Sequence, residues 1–162
     1  ARALDRVHRN LPGYRTITCL EITAGQGSGL GWRFEHLRRI IELVRDPDRL
    51  AVCFDTAHAL AAGYDLTSAK GMNATLAEFD DVIGLDRLKV FHLNDSKVAR
   101  GSRVDRHAHI GRGHVSLDAF RALVRKRRFR RVPKILETPN EDTDAGRPWD
   151  AVNLETLRGL AK

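Results

Sequence analysis

The stretch GSRVDRHAHIGRGHV (101–115) concentrates imidazole and guanidinium groups in one segment that has no apolar face to bury. Within it, Asp105 and His107 are two positions apart. Side chains at positions i and i+2 of an extended segment point the same way, so this pair could bind one metal ion. Three neighbouring arginines could face an anion: Arg103, Arg106 and Arg112. The alternative is a solvated surface loop. Other parts of the sequence distinguish this loop from a site for a metal ion and an anion.

Potential metal ligands also end four apolar runs, which predict strands at 16–22, 50–56, 88–95 and 133–138. The runs are continuously apolar, as is typical of strands covered on both faces. Each run carries one ligand-type side chain near its carboxyl end: Glu21, Asp55, His92 and Glu137. A single charged residue at a strand end is usually only solvated, but four out of four indicate a shared site.

The segments between these runs have helical periodicity. Phe34, Leu37 and Ile41 share one face of the first segment, and Ser116 is placed to cap the third. Gly84 is placed to end the second segment. The order βαβαβαβα predicts an α/β fold with a parallel sheet and right-handed crossovers. In a (β/α) barrel the carboxyl ends of the strands meet at one mouth, which would bring the four ligands together.

His58 lies three residues after Asp55 and extends the set of candidate ligands. All of the candidates offer oxygen or imidazole nitrogen, and none is a cysteine. This donor chemistry suits Zn²⁺ or Mn²⁺ in a catalytic site. Cys19 and Cys53 lie inside apolar runs, where buried free thiols favour a reducing compartment. Neither thiol has a neighbouring base that would make it a nucleophile.

Composition limits the function classes further. The chain has 162 residues, of which 42% are hydrophobic and 30% charged, and its formal net charge is +7. These values predict one soluble globular domain spanning residues 1–162. The basic balance favours an acidic partner, with nucleic acid as the first candidate. No apolar run is long enough to predict a membrane span.

Four strings of the sequence resemble the endonuclease IV family of apurinic/apyrimidinic (AP) endonucleases over roughly residues 15–140. They are LEITAGQGSGLG, CFDTAHALAAGYDL, FHLNDSKVARGSRVDRHAHIGRGHV and ILETPN. The resemblance implies a TIM-barrel type (β/α)8 architecture with a three-zinc cluster at its mouth. It also implies hydrolysis of the phosphodiester 5′ to abasic sites, which leaves a 3′-hydroxyl, together with trimming of blocked 3′ ends.

Roles carried over by motif divide the ligands into two sets. Glu21 resembles a carboxylate that bridges two zinc ions, and Asp55, His92 and Glu137 resemble the other ligands of one of these ions. A further set resembles the ligands of the third zinc: His58, Asp105 and His107. Glu137 would also align the nucleophile, so that Glu21 and Glu137 are the catalytic carboxylates. The implied content is about three zinc ions in a complete enzyme, with Mn²⁺ as an alternative at one site.

Two zinc-binding histidines that the family takes from earlier strands have no counterpart here, because His8 matches neither motif. The chain therefore resembles about the last four βα units of the barrel. The resemblance implies a cytoplasmic monomer that acts on double-stranded DNA containing abasic sites, with no membrane partner. Five residues are expected to contact DNA: Gln26, Lys97, Arg103, Arg106 and Arg112.

Other parts of the same segments receive simpler interpretations. His109 and His114 are expected to be supporting or surface residues rather than ligands. Gly111 and Gly113 are expected to let the backbone turn closely around a polymer. The basic run RKRRFRR (125–131) is expected on a solvated face away from the mouth.

Two other functions fit part of the pattern. A metal-dependent sugar isomerase or epimerase on a related barrel would also place Glu, Asp and His at strand ends. Such an enzyme would need neither the arginine-rich loop nor a third ion. The other alternative is an inactive half-barrel that only binds nucleic acid.

Overall fold

A four-stranded parallel sheet forms the centre of the protein in a computed structural model that describes residues 1–162. The strands are β1 (Thr18–Glu21), β2 (Leu50–Asp55), β3 (Leu88–His92), β4 (Asp95–Ser96), β5 (His107–Ala108) and β6 (Lys134–Ile135). The sheet order is β1-β2-β3-β6, while β4 and β5 form a separate antiparallel pair. All four predicted strands are therefore confirmed, each shorter than its apolar run.

The register of the sheet brings the strand ends level. Asp55 pairs with His92 across β2 and β3, and Glu21 pairs with Cys53 across β1 and β2. Because the strands are parallel, their carboxyl ends lie along one edge of the sheet. The α/β class is confirmed by this arrangement together with the helices that connect the strands.

Six helices accompany the sheet: α1 (Arg2–Asn10), α2 (Phe34–Leu43), α3 (Thr56–Ala62), α4 (Ala69–Val82), α5 (Leu117–Val124) and α6 (Trp149–Ala161). Ser116 caps α5 by accepting a hydrogen bond from the Ala119 N–H, as expected. Gly84, with a φ of 94°, follows α4 in a conformation that favours glycine. α5 ends at Val124, because the basic residues that follow have no apolar face. A 3-10 turn over Arg127–Phe129 follows and buries the Phe129 ring.

Helix α3 was not predicted, because TAHALAA is short and has no polar face to reveal a helical period. It begins directly at the end of β2, where the Asp55 side chain accepts a hydrogen bond from the His58 N–H at 2.8 Å. The same carboxylate therefore ends a strand and caps a helix. This local design turns His58 back towards the strand ends.

The core between the sheet and the helices is built around phenylalanine rings. Phe54 of β2 packs against Phe34 of α2, Phe79 of α4 and Phe91 of β3, with ring centroids 6.0–6.2 Å apart. All four rings are completely buried. Aromatic burial of this kind contributes strongly to stability, so the strands that present the site are held rigidly. No helix is long and apolar enough to cross a membrane.

Candidate metal centre

Side chains from the carboxyl ends of the four parallel strands converge on one point. One ligand atom of each lies within 4.8 Å of the corresponding atoms of the others, and the four residues are Glu21, Asp55, His92 and Glu137. His92 Nδ1 is 2.9 Å from Glu137 Oε2 and 3.2 Å from Glu21 Oε1. We call these four residues the strand-end group. Its members are separated along the sequence, so the sheet alone brings them together.

Asn94 supports this group and was missed by sequence reasoning. Its side-chain amide donates to Asp55 Oδ2 at 2.7 Å, and its Oδ1 accepts from the Glu137 N–H at 2.8 Å. The residue is fully buried. The sequence FHLND held a signal for this role. Asn94 lies two positions after His92, so in an extended segment its side chain points to the same side as that of His92. Hydrogen bonds of this kind orient ligands and fix their lone pairs.

A second group lies beside the first and is formed by His58, His107 and Asp105. The two Nε2 atoms are 3.3 Å apart. Asp105 touches both, with Oδ2 at 3.2 Å from His58 Nε2 and Oδ1 at 3.4 Å from His107 Nε2. We call these three residues the loop group. The structure thus brings all seven predicted ligands into one region, with Asp55 within 4.8 Å of both loop-group histidines.

The histidines of the loop group are oriented through their other ring nitrogens. His58 Nδ1 lies 2.9 Å from the Ile22 carbonyl oxygen, and His107 Nδ1 lies 3.1 Å from the Glu137 carbonyl oxygen. Metal-ligating histidines usually donate their second ring N–H to a carbonyl or carboxylate in this way, which leaves Nε2 free for the ion. The orientation of these residues therefore fits a metal site.

Electrostatics at the centre favour positive charge. Burial alone would lower the pKa of His58, but a hydrogen bond to Glu21 and the charges of Asp55, Asp105 and Glu21 raise it to about 9. Burial raises the pKa of Glu21, but the hydrogen bond from His58 and the charges of His92 and His58 outweigh burial and lower it. Four carboxylates against three imidazoles make a centre that attracts a proton or a cation. Oxygen and imidazole donors in this number suit Zn²⁺ or Mn²⁺.

Cys53 is the one thiol near the centre. Its Sγ lies within 4.8 Å of ligand atoms of Glu21 and His92. Burial raises the pKa of this thiol far above its usual range, and the charges of Glu21 and Asp55 raise it further. Burial and the neighbouring carboxylates therefore disfavour the thiolate, which is the form that binds metals.

Asp95 fixes the loop that carries Asp105 and His107 of the second group. Its buried carboxylate accepts backbone N–H groups from four residues at 2.8–2.9 Å: Ser96, Gly111, Gly113 and Val115. A Cβ at position 113 would overlap the Ser96 carbonyl oxygen and the Asp95 carboxylate. The two glycines were expected to let the backbone turn around a polymer. Within the protein, Gly113 allows the close approach to Ser96 and Asp95, and Gly111 has a φ of 77°, which favours glycine.

His109 ties the same loop to the end of the chain. It is buried, lies 3.0 Å from Glu141 Oε1 through Nε2, and lies 3.1 Å from the Asn153 amide through Nδ1. Its ring stacks on Trp149 with the centroids 4.2 Å apart. His109 therefore holds the loop of residues 101–115 against Glu141, Trp149 and Asn153. His114 is exposed.

The residues expected to contact DNA differ in their surroundings. Gln26 Oε1 accepts the Asp105 N–H at 3.0 Å, and Arg103 lies over the Trp32 ring with its guanidinium carbon 4.0 Å from the centroid. Arg106 donates to the Asp105 carbonyl oxygen at 2.6 Å. Gln26 and Arg106 thus border the loop group, and Arg103 precedes Asp105 by two positions. All five residues are exposed. Lys97 forms no side-chain contact of this kind, and the Arg112 guanidinium lies 5.6 Å from the Trp149 centroid.

Comparisons with known proteins show which proteins this chain is similar to. A family model described as xylose isomerase-like TIM barrel matches residues 1–161. A Geobacter sulfurreducens protein named "Probable endonuclease 4" is 52% identical over 160 residues, which cover 99% of this chain and 53% of the relative. A Chloroflexus aggregans protein of the same name is 50% identical over 162 residues, which cover 100% of this chain and 56% of the relative.

A solved structure is similar as well. The crystal structure of endonuclease IV from Thermus thermophilus superposes with a TM-score of 0.80 at 36% identity, over 98% of this chain and 54% of that one. The predicted TIM-barrel class is confirmed by this structure and by the family model. The chain spans about half the length of the curated relatives it matches.

Proposed function

Because the chain belongs to the xylose isomerase-like TIM-barrel family and its predicted resemblance to endonuclease IV is confirmed, we propose that it forms part of a DNA-repair endonuclease. The substrate is double-stranded DNA containing abasic sites. The phosphodiester 5′ to the abasic site is hydrolysed, which leaves a 3′-hydroxyl. The observation that carries this proposal is the convergence of the strand-end group within 4.8 Å, directly beside the loop group.

Zinc is the proposed cofactor, with about three ions in the complete enzyme and Mn²⁺ as an alternative at one site. The strand-end group would hold one ion and share Glu21 with a second, while the loop group would hold the third. When bound, such ions lower the pKa of a water molecule and neutralise negative charge on the scissile phosphate. The donor atoms and the orientation of the histidines support this assignment.

The three carboxylates of the strand-end group differ in exposure, and their proposed roles differ accordingly. Asp55 is completely buried, and its oxygens are occupied by the His58 N–H and by Asn94. Glu137 is 43% exposed and faces the opening. It is therefore suited to accept a hydrogen bond from the attacking water and to align it with the phosphorus atom. Glu21 contacts both His58 and His92 and holds the two groups together.

The loop group and the arginines beside it complete the site. The loop group lies next to the strand-end group, where it would face the oxygen that leaves when the phosphodiester breaks. Arg106 borders this group, Arg103 precedes Asp105 by two positions, and guanidinium groups pair well with phosphate oxygens. The same residues can act on any phosphodiester that reaches them, so trimming of blocked 3′ ends belongs to the proposal.

A sugar isomerase is the less suitable alternative. The family description includes that class, but the relatives at about half identity are named as endonucleases. An isomerase also has no need of three further ligands, two of which lie on an arginine-rich loop and one on α3. An inactive nucleic-acid-binding half-barrel remains the other alternative, and a cleavage assay separates it from the proposal.

The test uses the intact natural protein that contains this chain, with a 5′-labelled duplex carrying one abasic site. We expect a single nick with a 3′-hydroxyl end, which a polymerase can extend. A chelator should abolish the nick, and added Zn²⁺ should restore it. Glu137→Gln should reduce cleavage by orders of magnitude, whereas the exposed matched control Glu155→Gln should not. A purified, zinc-loaded protein that binds the duplex but never cuts it would overturn the proposal.

A further inference from the structure

The positive charge of the chain is concentrated in two segments that the proposed mechanism does not use. Residues 85–89 and 125–134 together contain nine lysines or arginines and one acidic residue, Asp86. The whole chain has 28 basic and 21 acidic residues, so the remainder has 19 basic and 20 acidic ones. The net charge of +7 therefore comes entirely from these two segments. We call them the basic end.

The basic end lies opposite the metal centre. The first segment leads directly into β3 at Leu88, and the second leads into β6 at Lys134. Because the metal ligands follow the carboxyl ends of the same parallel strands, the two surfaces are at opposite ends of the sheet. The two segments meet around a hollow of about 310 Å³, which is lined by Lys89, Arg128 and Arg131 among others. A second hollow of about 490 Å³ adjoins the same run.

Some of these cations have structural partners. Arg87 donates to the carbonyl oxygens of Pro47 and Leu50, and Lys134 donates to those of Phe129 and Val132. These contacts anchor the two segments. The buried Phe129, which is 1% exposed, holds the middle of the run against the core.

Arg125 also donates to a carbonyl oxygen, that of Leu160, at 3.1 Å, but most of the other cations are not compensated. Arg128 forms the one ion pair of the surface, with Asp86 at 2.8 Å. Five others make no side-chain hydrogen bond or ion pair: Lys89, Lys126, Arg127, Arg130 and Arg131. Several like charges on a rigid segment repel one another, and a bound polyanion would relieve this repulsion.

We propose that the basic end is a second DNA-binding surface, which holds a duplex through its phosphates on the side opposite the metal centre. Five of the six cations in 125–131 are arginines, whose planar fork matches phosphate oxygens. The one aromatic ring of the run is buried, so the surface offers no ring on which single-stranded bases could stack. Its apolar side chains are buried or half-buried except for that of Pro133, so the surface offers no cluster of exposed apolar groups for insertion into a membrane.

This inference goes beyond the proposed function, because binding here needs neither a metal ion nor an abasic site. A molecule with both surfaces can hold two DNA segments at once. Binding of a second DNA segment at the basic end would keep the protein on DNA while the metal centre moves from site to site in search of an abasic site.

The test compares two variants of the intact natural protein. Arg127→Gln, Arg130→Gln and Arg131→Gln are combined in the first, since none of these side chains has a partner whose loss would affect folding. Arg2→Gln, Arg6→Gln and Arg9→Gln are combined in the control, which loses the same charge from exposed positions on α1. The probe is a short intact duplex without an abasic site. The number of duplexes bound per protein is measured by sedimentation at several salt concentrations.

We expect the first variant to bind one duplex fewer than the wild type and the control, with cleavage of saturating abasic duplex unchanged. The steepness of the salt dependence should fall by about 2.7, because three arginines no longer neutralise phosphates. If the metal centre binds no DNA but the basic end does, the wild type will bind one duplex and the first variant none. The proposed function and the proposed second surface can therefore fail independently of each other. Equal stoichiometry in all three proteins would overturn the inference. The inference would also be overturned if the basic end bound vesicles rich in phosphatidylserine but not the duplex.

Discussion

The Nε2 atoms of His58 and His107 face each other at 3.3 Å, although one residue belongs to helix α3 and the other to strand β5. Their Nδ1 atoms lie close to backbone carbonyl oxygens, which favours a lone pair on each Nε2. Two lone pairs at this distance repel unless a proton or a cation lies between them. Asp105, at 3.2 Å and 3.4 Å from the two nitrogens, adds negative charge at the same place.

His107→Ala tests this relationship. In the zinc-loaded intact protein we expect the loss of about one zinc ion per molecule, because an open site has lost one of its three protein ligands. Cleavage of an abasic duplex should slow by orders of magnitude, since positive charge beside the leaving oxygen is lost. DNA binding should fall much less. Metal analysis and single-turnover cleavage are the measurements.

His114→Ala is the matched control, because His114 is exposed in the same loop. It should keep both the zinc content and the cleavage rate. Unchanged zinc with near-normal cleavage in His107→Ala would show that the loop group is only a polar surface.

Asn94→Ala should weaken metal binding at the strand-end group without removing a ligand. The amide positions Asp55, and the side-chain oxygen holds the Glu137 backbone, so both carboxylates become less well oriented. Loss of such a supporting hydrogen bond typically costs about 10–100-fold in metal affinity. Competition with a chelator measures this affinity. Asn73→Ala, on the exposed side of α4, is the control, and equal affinity in both variants would contradict the role of Asn94.

The sequence predicted the strands and the candidate metal ligands at their ends because both depend on local signals. Continuous apolar runs mark strands covered on both faces, and a charged residue at the end of each run is visible without coordinates. The βα order then requires the strand ends to meet. Glu21 and Glu137 could therefore be assigned to one site although they lie at opposite edges of the sheet.

The supporting residues were harder to predict, because their roles depend on long-range approach. Asn94 reads as an ordinary polar residue after a strand, and its two carboxylate partners are known only once β2 and β6 flank β3. Asp95 likewise binds N–H groups 16–20 positions away. Gln26 and Arg103 were interpreted as DNA contacts, and their contacts with Asp105 and Trp32 required the loops to be placed in space.

Asp95→Asn should destabilise the protein through its loop. Each carboxylate oxygen accepts two backbone N–H groups, so an amide nitrogen in place of either oxygen would face two donors. Leaving two buried N–H groups unpaired should cost about 2–4 kcal/mol. Denaturant unfolding of the intact protein measures this cost. Asp118→Asn removes an exposed pair with Arg121 and should change stability by at most about 0.5 kcal/mol, and equal effects would disprove the role of Asp95.

Cys53→Ala should leave the zinc content unchanged, because burial and the carboxylates of Glu21 and Asp55 disfavour the thiolate form. The pKa of this thiol is raised in the folded protein, so the thiolate appears only at more alkaline pH than in the unfolded chain. Alkylation by iodoacetamide at about pH 8 should therefore be much slower in the folded protein than in denaturant. Loss of a zinc ion from Cys53→Ala would instead identify the thiol as a ligand.

Arg103 combines a special backbone conformation with a charge beside the loop group. Its φ of 55° lies in the left-handed region, where a side chain other than glycine is strained. The stack on Trp32 holds the guanidinium in place over this strained residue. Strain and charge can be separated by comparing Arg103→Ala with Arg103→Gly, since both lose the charge and only glycine relieves the strain.

We expect both variants to bind abasic duplex more weakly, by the same factor and for all sequences alike, with a salt dependence shallower by about 1. Arg103→Gly should nevertheless be the more stable of the two by about 1 kcal/mol, because the left-handed conformation no longer costs energy. Trp32→Leu keeps the charge of Arg103 but removes the ring on which the guanidinium stacks. The DNA affinity of this variant should therefore lie between that of the wild type and that of Arg103→Ala. Fluorescence anisotropy at several salt concentrations and denaturant unfolding give the two quantities. If Arg103→Gly bound DNA as well as the wild type, the backbone turn rather than the guanidinium would be what the DNA requires, and the phosphate-facing role of Arg103 would be wrong.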